Sequence, residues 1–282
     1  MDLVEQPGIR ELIERALAED IGLGDVTTAA TVRSDARGRA RISVKDDEIV
    51  FCGGPLIAPI MERCGAQAHL VKMAAEGAPL RRGEVAVELE GLLAGLLIGE
   101  RTALNFLQLM SGIATKTAQF VRAVAGTKAR IVDTRKTHPG LRALEKYAVR
   151  VGGGFNHRFG LDSGVLIKDN HIAAAGSVET AIKLARQSAP HTLKIEVECE
   201  NLAQLEGAIA AGADIVLLDN MPLEEVRRAC QIAAGRVLLE VSGNVSLATA
   251  GEIARTGVDL ISAGELTHSV RAADLSMRIE AF

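Results

Sequence analysis

The sequence predicts an α/β protein whose C-terminal half is an incomplete (β/α) barrel, and three observations lead there. Short apolar runs alternate with helical patterns at barrel-unit intervals beyond residue 112. Glycines follow several of the helices, and a polar residue or glycine follows each run. The chain is 282 residues long, with 48% hydrophobic and 24% charged residues, which suits a buried core and excludes disorder.

The elements follow in order. Ile9, Leu12, Ile13, Ala16 and Leu17 recur at helical spacing, and Gly22 and Gly24 end that helix. After Asp25-Val26-Thr27-Thr28, the alternating segments 40–44 and 85–89 read as sheet. A helix is expected from about Leu92 to Ser111, interrupted by Ser111-Gly112, and a domain boundary is placed there, giving domains 1–112 and 113–269. The barrel strands are expected at 130–132, 164–167, 194–197, 215–218, 237–241 and 260–263. Their helices are expected at 177–187, 202–211, 223–233 and 247–256, with Gly212, Gly235 and Gly257 as C-terminal stops. These runs make six strands, so the barrel is incomplete or hides a seventh strand in 152–159. Periodicity alone does not separate a barrel from an open sheet. The polar strand ends Asp133, Lys168, Glu198, Asp219, Ser242 and Gly264 favour the barrel, where they converge on one rim.

Composition narrows the function. A net charge of −4 and 2% aromatic residues leave neither a broad basic surface nor a stacking platform, so no nucleic-acid partner is expected. No apolar stretch is long enough to cross a membrane, no basic-apolar leader opens the chain, and the four cysteines lack paired spacing. A cytoplasmic protein with buried free thiols is expected.

Between Asp133 and His171 stand seven Arg or Lys and three His against four acids. Arg142, Lys146 and Arg150 share one helical stripe and are expected to be a solvated face. Arg135 and Lys136 instead follow a strand, and Asn156-His157-Arg158 follow three glycines that let the backbone turn tightly. Guanidinium forks and lysine point charges in such places suit a substrate with several negative groups. Glu198 and Asp219 end successive strands, where paired carboxylates beside a polyphosphate hold Mg²⁺. Ser242-Gly243-Asn244 and Ala263-Gly264-Glu265 precede helices starting near Ser246 and Thr267, the usual phosphate loops of a barrel. Lys168 at a strand end also admits a Schiff-base lyase, and a non-catalytic sensor remains a third class.

Several motifs together resemble the carboxylating nicotinate-nucleotide pyrophosphorylases, the quinolinate phosphoribosyltransferase family. They are Asp133-Thr134-Arg135-Lys136-Thr137, Gly152-Gly153-Gly154-Phe155-Asn156-His157-Arg158, Leu166-Ile167-Lys168-Asp169-Asn170-His171, Leu217-Leu218-Asp219-Asn220 and Leu266-Thr267-His268-Ser269. The early Gly24-Asp25-Val26-Thr27-Thr28 and Glu100-Arg101-Thr102-Ala103-Leu104-Asn105 extend the likeness over nearly the whole chain.

The resemblance implies an N-terminal α/β sandwich domain rejoined by the tail 270–282, an incomplete barrel of six to seven strands, and a homodimer or higher multiple with shared active sites. It implies the conversion of quinolinate and phosphoribosyl pyrophosphate, with Mg²⁺, to nicotinate mononucleotide, CO₂ and pyrophosphate in de novo NAD biosynthesis. By motif, Arg135, His157, Arg158 and Lys168 clamp the quinolinate carboxylates, with Thr134 and Lys136 beside them and Lys136 near the ribose phosphates. Arg101 reaches across from the partner, Glu198 and Asp219 serve the metal and ribose side, and Ser242, Gly243, Asn244, Ala263 and Gly264 hold the 5′-phosphate. Arg135, Lys136, Lys168, Glu198 and Asp219 form the catalytic set. A related phosphoribosyltransferase-like protein with another acceptor, including the molybdenum-transport-associated relatives, is the nearest alternative. Asn244 stands where glycine is common and Glu265 where alanine is usual, and Asp162 sits one place early in the usual Gly-Leu-x-Asp.

Overall fold

The computed structural model describes residues 3–282, which form two compact units. One unit comprises the chain up to Ala118, His138–Gly153 and Val270–Phe282; the other comprises Gln119–Thr137 and Gly154–Ser269.

In the first unit, α1 (Ile9–Ile21) buries Ile9, Ile13 and Leu17 and stops at Gly22. Asp25 then caps α2 (Val26–Thr31), its carboxylate accepting the backbone N–H groups of Thr27 and Thr28 at 3.0 Å each, which satisfies donors the helix itself leaves unpaired. The strands are β1 (Arg37–Val44), β2 (Glu48–Val50), β3 (His69–Met73), β4 (Pro79–Arg81) and β5 (Val85–Leu92), with α3 (Ile57–Arg63) between β2 and β3. β1 alternates buried and less buried residues as a half-covered antiparallel strand should, with Ala40, Ile42 and Val44 inside. The C-terminal strand Leu275–Ala281 pairs antiparallel with β1 along its length, so the tail completes a four-stranded sheet.

α4 (Leu93–Ala123) runs through Ser111-Gly112 without a break, contrary to the interruption expected there. Both residues serve packing. The Ser111 hydroxyl accepts from Cys52 N–H at 3.0 Å and donates to its carbonyl at 3.2 Å. A Cβ on Gly112 would lie 2.3 Å from the carbonyl oxygen of Arg271, so only a glycine lets the tail approach the helix. Gly112→Ala should therefore cost about 1–3 kcal/mol by overpacking. A melting temperature equal to wild type in thermal denaturation would contradict this account.

α5 (Arg142–Val151) corrects a second expectation. Arg150 is exposed, but Lys146 is only 3% exposed on the same helix, so the stripe is not a uniformly solvated face. Positions at i, i+4 and i+8 drift by about 40° per step around a 3.6-residue helix, so one stripe passes from covered to open surface.

The second unit holds β6 (Arg130–Val132), β7 (Val165–Ile167), β8 (Ile195–Cys199), β9 (Ile215–Asp219), β10 (Leu238–Ser242) and β11 (Leu260–Ser262). The C-terminal strand of the first unit is thus β12. The six strands pair in parallel in the order β6-β11-β10-β9-β8-β7, an incomplete barrel whose edges are β6 and β7. The helices α6 (Asp169–Ala175), α7 (Val178–Ser188), α8 (Leu202–Ala210), α9 (Leu223–Ala233), α10 (Leu247–Ala254) and α11 (Glu265–His268) connect or follow them. The last starts two residues before the expected Thr267. The seventh strand sought in 152–159 is reduced to one parallel bridge, Val132 with Phe155, closed by Phe155 N–H to Ile131 and Asp133 N–H to Phe155. Three consecutive glycines before Phe155 and the irregular backbone of 156–158 leave no length for a ladder. No helix among the described residues is long and apolar enough to cross a membrane.

Candidate active site

Strand pleating decides which side chains meet. On β8, Ile195, Val197 and Cys199 are fully buried on one face, so Glu196 and Glu198 share the other. The parallel register sets Asp219 beside Ser242 and Glu198 beside Leu217, which brings the strand ends to one rim. There the second unit encloses a cavity of about 670 Å³. Its wall contains Thr134, Arg135, Lys136, His157, Arg158, Lys168, Glu198, Asp219, Ser242, Gly243 and Asn244. Ala263, Gly264 and Arg101 are not in that wall. Ala263 is buried, Gly264 stands next to Lys136, and Arg101 is exposed on α4 in the other unit.

The cavity wall carries four cations, Arg135, Lys136, Arg158 and Lys168. Burial, then the nearby charge of Arg135, pushes the Arg158 guanidinium below its ordinary pKa, and Glu196 opposes them. Two neighbouring guanidiniums in one cavity wall suit an anionic ligand. Arg158 is aimed by a bond from Nη1 to the carbonyl of Gly164 at 3.0 Å. Lys168 pairs with Glu198 across the neighbouring strand ends. Lys136 is fixed through its backbone: its N–H donates to Thr134 Oγ1 at 3.0 Å and its carbonyl accepts from Thr267 Oγ1 at 2.7 Å.

The loop after β10 has the shape of a backbone cradle. Gly243 has φ 88°, and a Cβ there would come within 2.2 Å of Asn220 Oδ1. Asn244 follows at φ 49°, a left-handed position that asparagine tolerates, and its amide donates to Asn220 Oδ1 at 3.1 Å.

Two residues escaped the sequence reading. Glu196 and Glu240 are 5% and 1% exposed and meet His157, and of the two only Glu240 lines the cavity. The signal available was an acid inside an otherwise apolar strand run, Val237-Leu238-Leu239-Glu240-Val241, which no surface role explains. Burial first, then Glu196, raises the pKa of Glu240 to about 7, while His157 and the Ser262 hydroxyl lower it and Asp133 raises it further. A carboxyl whose folded pKa lies above its unfolded value contributes stability fully below about 4.5, and that contribution is lost as pH rises through about 7. Glu240→Gln, which cannot ionise, should therefore gain melting temperature over wild type at pH 8 relative to pH 5. An equal difference at both pH values in calorimetric scans would refute the buried ionisation.

All four cysteines are free thiols, with Cys52 and Cys199 buried as expected and Cys64 and Cys230 partly covered. Burial raises the Cys64 thiol to about 11 and Cys199 to about 12. Neither acts as a thiolate nucleophile near neutral pH.

A (β/α) barrel with two guanidiniums and a lysine in the wall of its rim cavity, and two carboxylates at neighbouring strand ends, is the framework of an enzyme for multiply anionic small molecules. Comparison with known proteins makes this specific. The C-terminal domain of quinolinate phosphoribosyl transferase matches residues 113–278 and its N-terminal domain residues 25–111. The chain is 45% identical to the probable carboxylating nicotinate-nucleotide pyrophosphorylase of Bacillus subtilis, over 96% of this chain and 93% of that one. It is 45% identical to the carboxylating nicotinate-nucleotide pyrophosphorylase of Mycobacterium leprae, over 95% and 96% of the two chains. The crystal structure of NadC from Streptococcus pyogenes superposes with a TM-score of 0.94 at 40% identity, covering 97% of each chain. The chain belongs to the quinolinate phosphoribosyltransferase family.

Proposed function

We propose that this enzyme is a decarboxylating quinolinate phosphoribosyltransferase, converting quinolinate and phosphoribosyl pyrophosphate to nicotinate mononucleotide, CO₂ and pyrophosphate in NAD biosynthesis. The observation that carries the reading is one cavity whose wall gathers the Arg135, Arg158 and Lys168 cations with Glu198 and Asp219 at adjacent strand ends. The first group matches a dicarboxylate, and the second suits the ribose and the metal that accompanies a pyrophosphate.

In the reaction, the pyridine nitrogen forms a bond to the ribose anomeric carbon as the bond to pyrophosphate breaks. The charged ring nitrogen then holds the electron pair released when the adjacent carboxylate leaves as CO₂, and a proton replaces it on the ring carbon. No protein nucleophile is needed. The residues' work is to align the two substrates and to neutralise charge before and during bond exchange. Arg135, Arg158 and Lys168 hold the carboxylates, with His157 beside them, while Lys136 and the 242–244 loop hold phosphate groups, supported by Ala263 and Gly264.

Glu198 and Asp219 fit Mg²⁺ by chemistry: both are hard oxygen donors at neighbouring strand ends on the cavity wall. Held by these two carboxylates, such an ion would supply positive charge to the departing pyrophosphate. Lys168 shares Glu198, so it also tempers the charge of the carboxylate pair. We further propose a dimer, or a multiple of it, in which Arg101 on α4 completes the neighbouring subunit's site, and a cytoplasmic location, consistent with four free cysteines.

The deciding assay supplies carboxyl-labelled quinolinate, phosphoribosyl pyrophosphate and Mg²⁺. One CO₂ per nicotinate mononucleotide formed is the expected result. Absence of CO₂ release from quinolinate, with turnover of another acceptor, would assign the chain to a different phosphoribosyl transfer.

A further inference from the structure

Beneath the cationic wall, the barrel interior holds a polar cluster that the reaction chemistry does not call for. Glu196 on β8 and Glu240 on β10 are separated in the sheet by β9, yet both reach the imidazole of His157. His157 Nε2 stands 3.0 Å from Glu196 Oε2 and 3.8 Å from Glu240 Oε1. The other ring nitrogen, Nδ1, accepts the backbone N–H of Arg158 at 2.7 Å. A ring nitrogen that accepts carries no proton, so in the neutral ring the proton sits on Nε2 and points inward to the acids.

Two buried acids are an expensive way to fill a barrel. Leu217, the residue in register with Glu240 on β9, shows what ordinary filling looks like at this depth. Glu196 Oε1, Glu240 Oε1 and Arg158 Nε are all buried without a hydrogen-bond partner, so the arrangement is not the best one for stability. The backbone explains what it is good for. Residues 154–158 occupy the place of a missing barrel strand but are tied to the sheet by a single bridge at Phe155. A ladder of backbone bonds would normally fix such a segment. Here side chains do it: Asp133 accepts the His157 N–H at 2.9 Å and the Asn156 amide at 2.6 Å, and Glu196 holds the His157 ring at 3.0 Å with the Glu240 carboxyl 3.8 Å behind it.

We infer that Glu196 and Glu240 are positioning residues for dicarboxylate recognition, locking the His157 ring and, through its bond to the Arg158 N–H, setting Arg158 at the cavity wall. The inference rests on the reading of that cavity as the quinolinate site. It divides the two substrates: quinolinate recognition depends on the pair, whereas phosphoribosyl pyrophosphate is held by other elements, Lys136 and the 242–244 loop.

The test uses the full-length chain and the isosteric variants Glu196→Gln and Glu240→Gln. Calorimetric titration and steady-state kinetics should show quinolinate Kd and KM rising about tenfold in Glu196→Gln, the loss expected for one charge-assisted hydrogen bond. The rise in Glu240→Gln should be smaller, in keeping with its longer contact, and KM for phosphoribosyl pyrophosphate should stay within twofold in both. Quinolinate affinity within twofold of wild type in two folded variants would overturn the inference. So would parallel rises in both KM values with a lowered melting temperature, the mark of a merely structural role. Should either variant fold poorly, the nitrogen shifts of His157 in the wild-type protein decide: protonation at Nε2 supports the lock, and protonation at Nδ1 alone refutes it. Failure of the wild type itself to bind quinolinate would instead remove the site reading, a result visible before any variant is made.

Discussion

Lys168→Ala should reduce kcat/KM for quinolinate by about 10³-fold or more, with the protein still folded. Lys168 follows β7 directly and its ammonium pairs with Glu198 on the next strand, so it is held at the rim without contributing to the core. Its removal acts twice. The substrate loses a positive partner, and Glu198 is left uncompensated beside a second carboxylate, Asp219, in a cavity that must admit two anions. Arg135→Ala removes one guanidinium of the facing pair and should show a comparable loss. The measurement is CO₂ release under saturating phosphoribosyl pyrophosphate, with circular dichroism to show that the fold persists. Near-normal turnover in either variant would end the assignment of the cavity.

The reasons these side chains were visible before the structure, and others were not, are physical. Lys168, Glu198, Asp219 and Ser242 are polar residues at the ends of short apolar runs, and the βα period predicts where those ends fall in space. Asn244, noted in the sequence as standing where glycine is common, takes the left-handed backbone that asparagine tolerates. Local rules fail where a distant segment decides. Gly112 looks like a helix breaker, but its lack of a Cβ is used by the tail more than 150 residues later in the chain, at Arg271. Lys146 looks like surface and is covered by tertiary packing. Glu196 and Glu240 lay inside runs read simply as strands. Their meaning depends on two non-adjacent strands and a turn converging on one imidazole, which no periodicity encodes.

The same convergence predicts the largest effect away from the rim. Asp133 is fully buried at the end of β6, accepts the His157 N–H and the Asn156 amide, and precedes Arg135 by two residues. One carboxylate thus joins the loop carrying Arg135 and Lys136 to the turn carrying His157 and Arg158. Asp133→Ala takes the acceptor away from the half-buried His157 N–H and the exposed Asn156 amide and opens a small void at a fully buried position, which should cost about 2–3 kcal/mol of stability. It should also lower kcat/KM for both substrates together, because both loops lose their common anchor. Asp133→Asn keeps the volume but offers one carbonyl oxygen for two donors, so it should fall between wild type and Asp133→Ala in melting temperature and in activity. This joint loss contrasts with the quinolinate-selective loss expected of Glu196→Gln. If Asp133→Ala were to weaken quinolinate alone, the 134–136 loop would have to be held independently of Asp133, and the picture of one buried carboxylate organising both walls would be wrong.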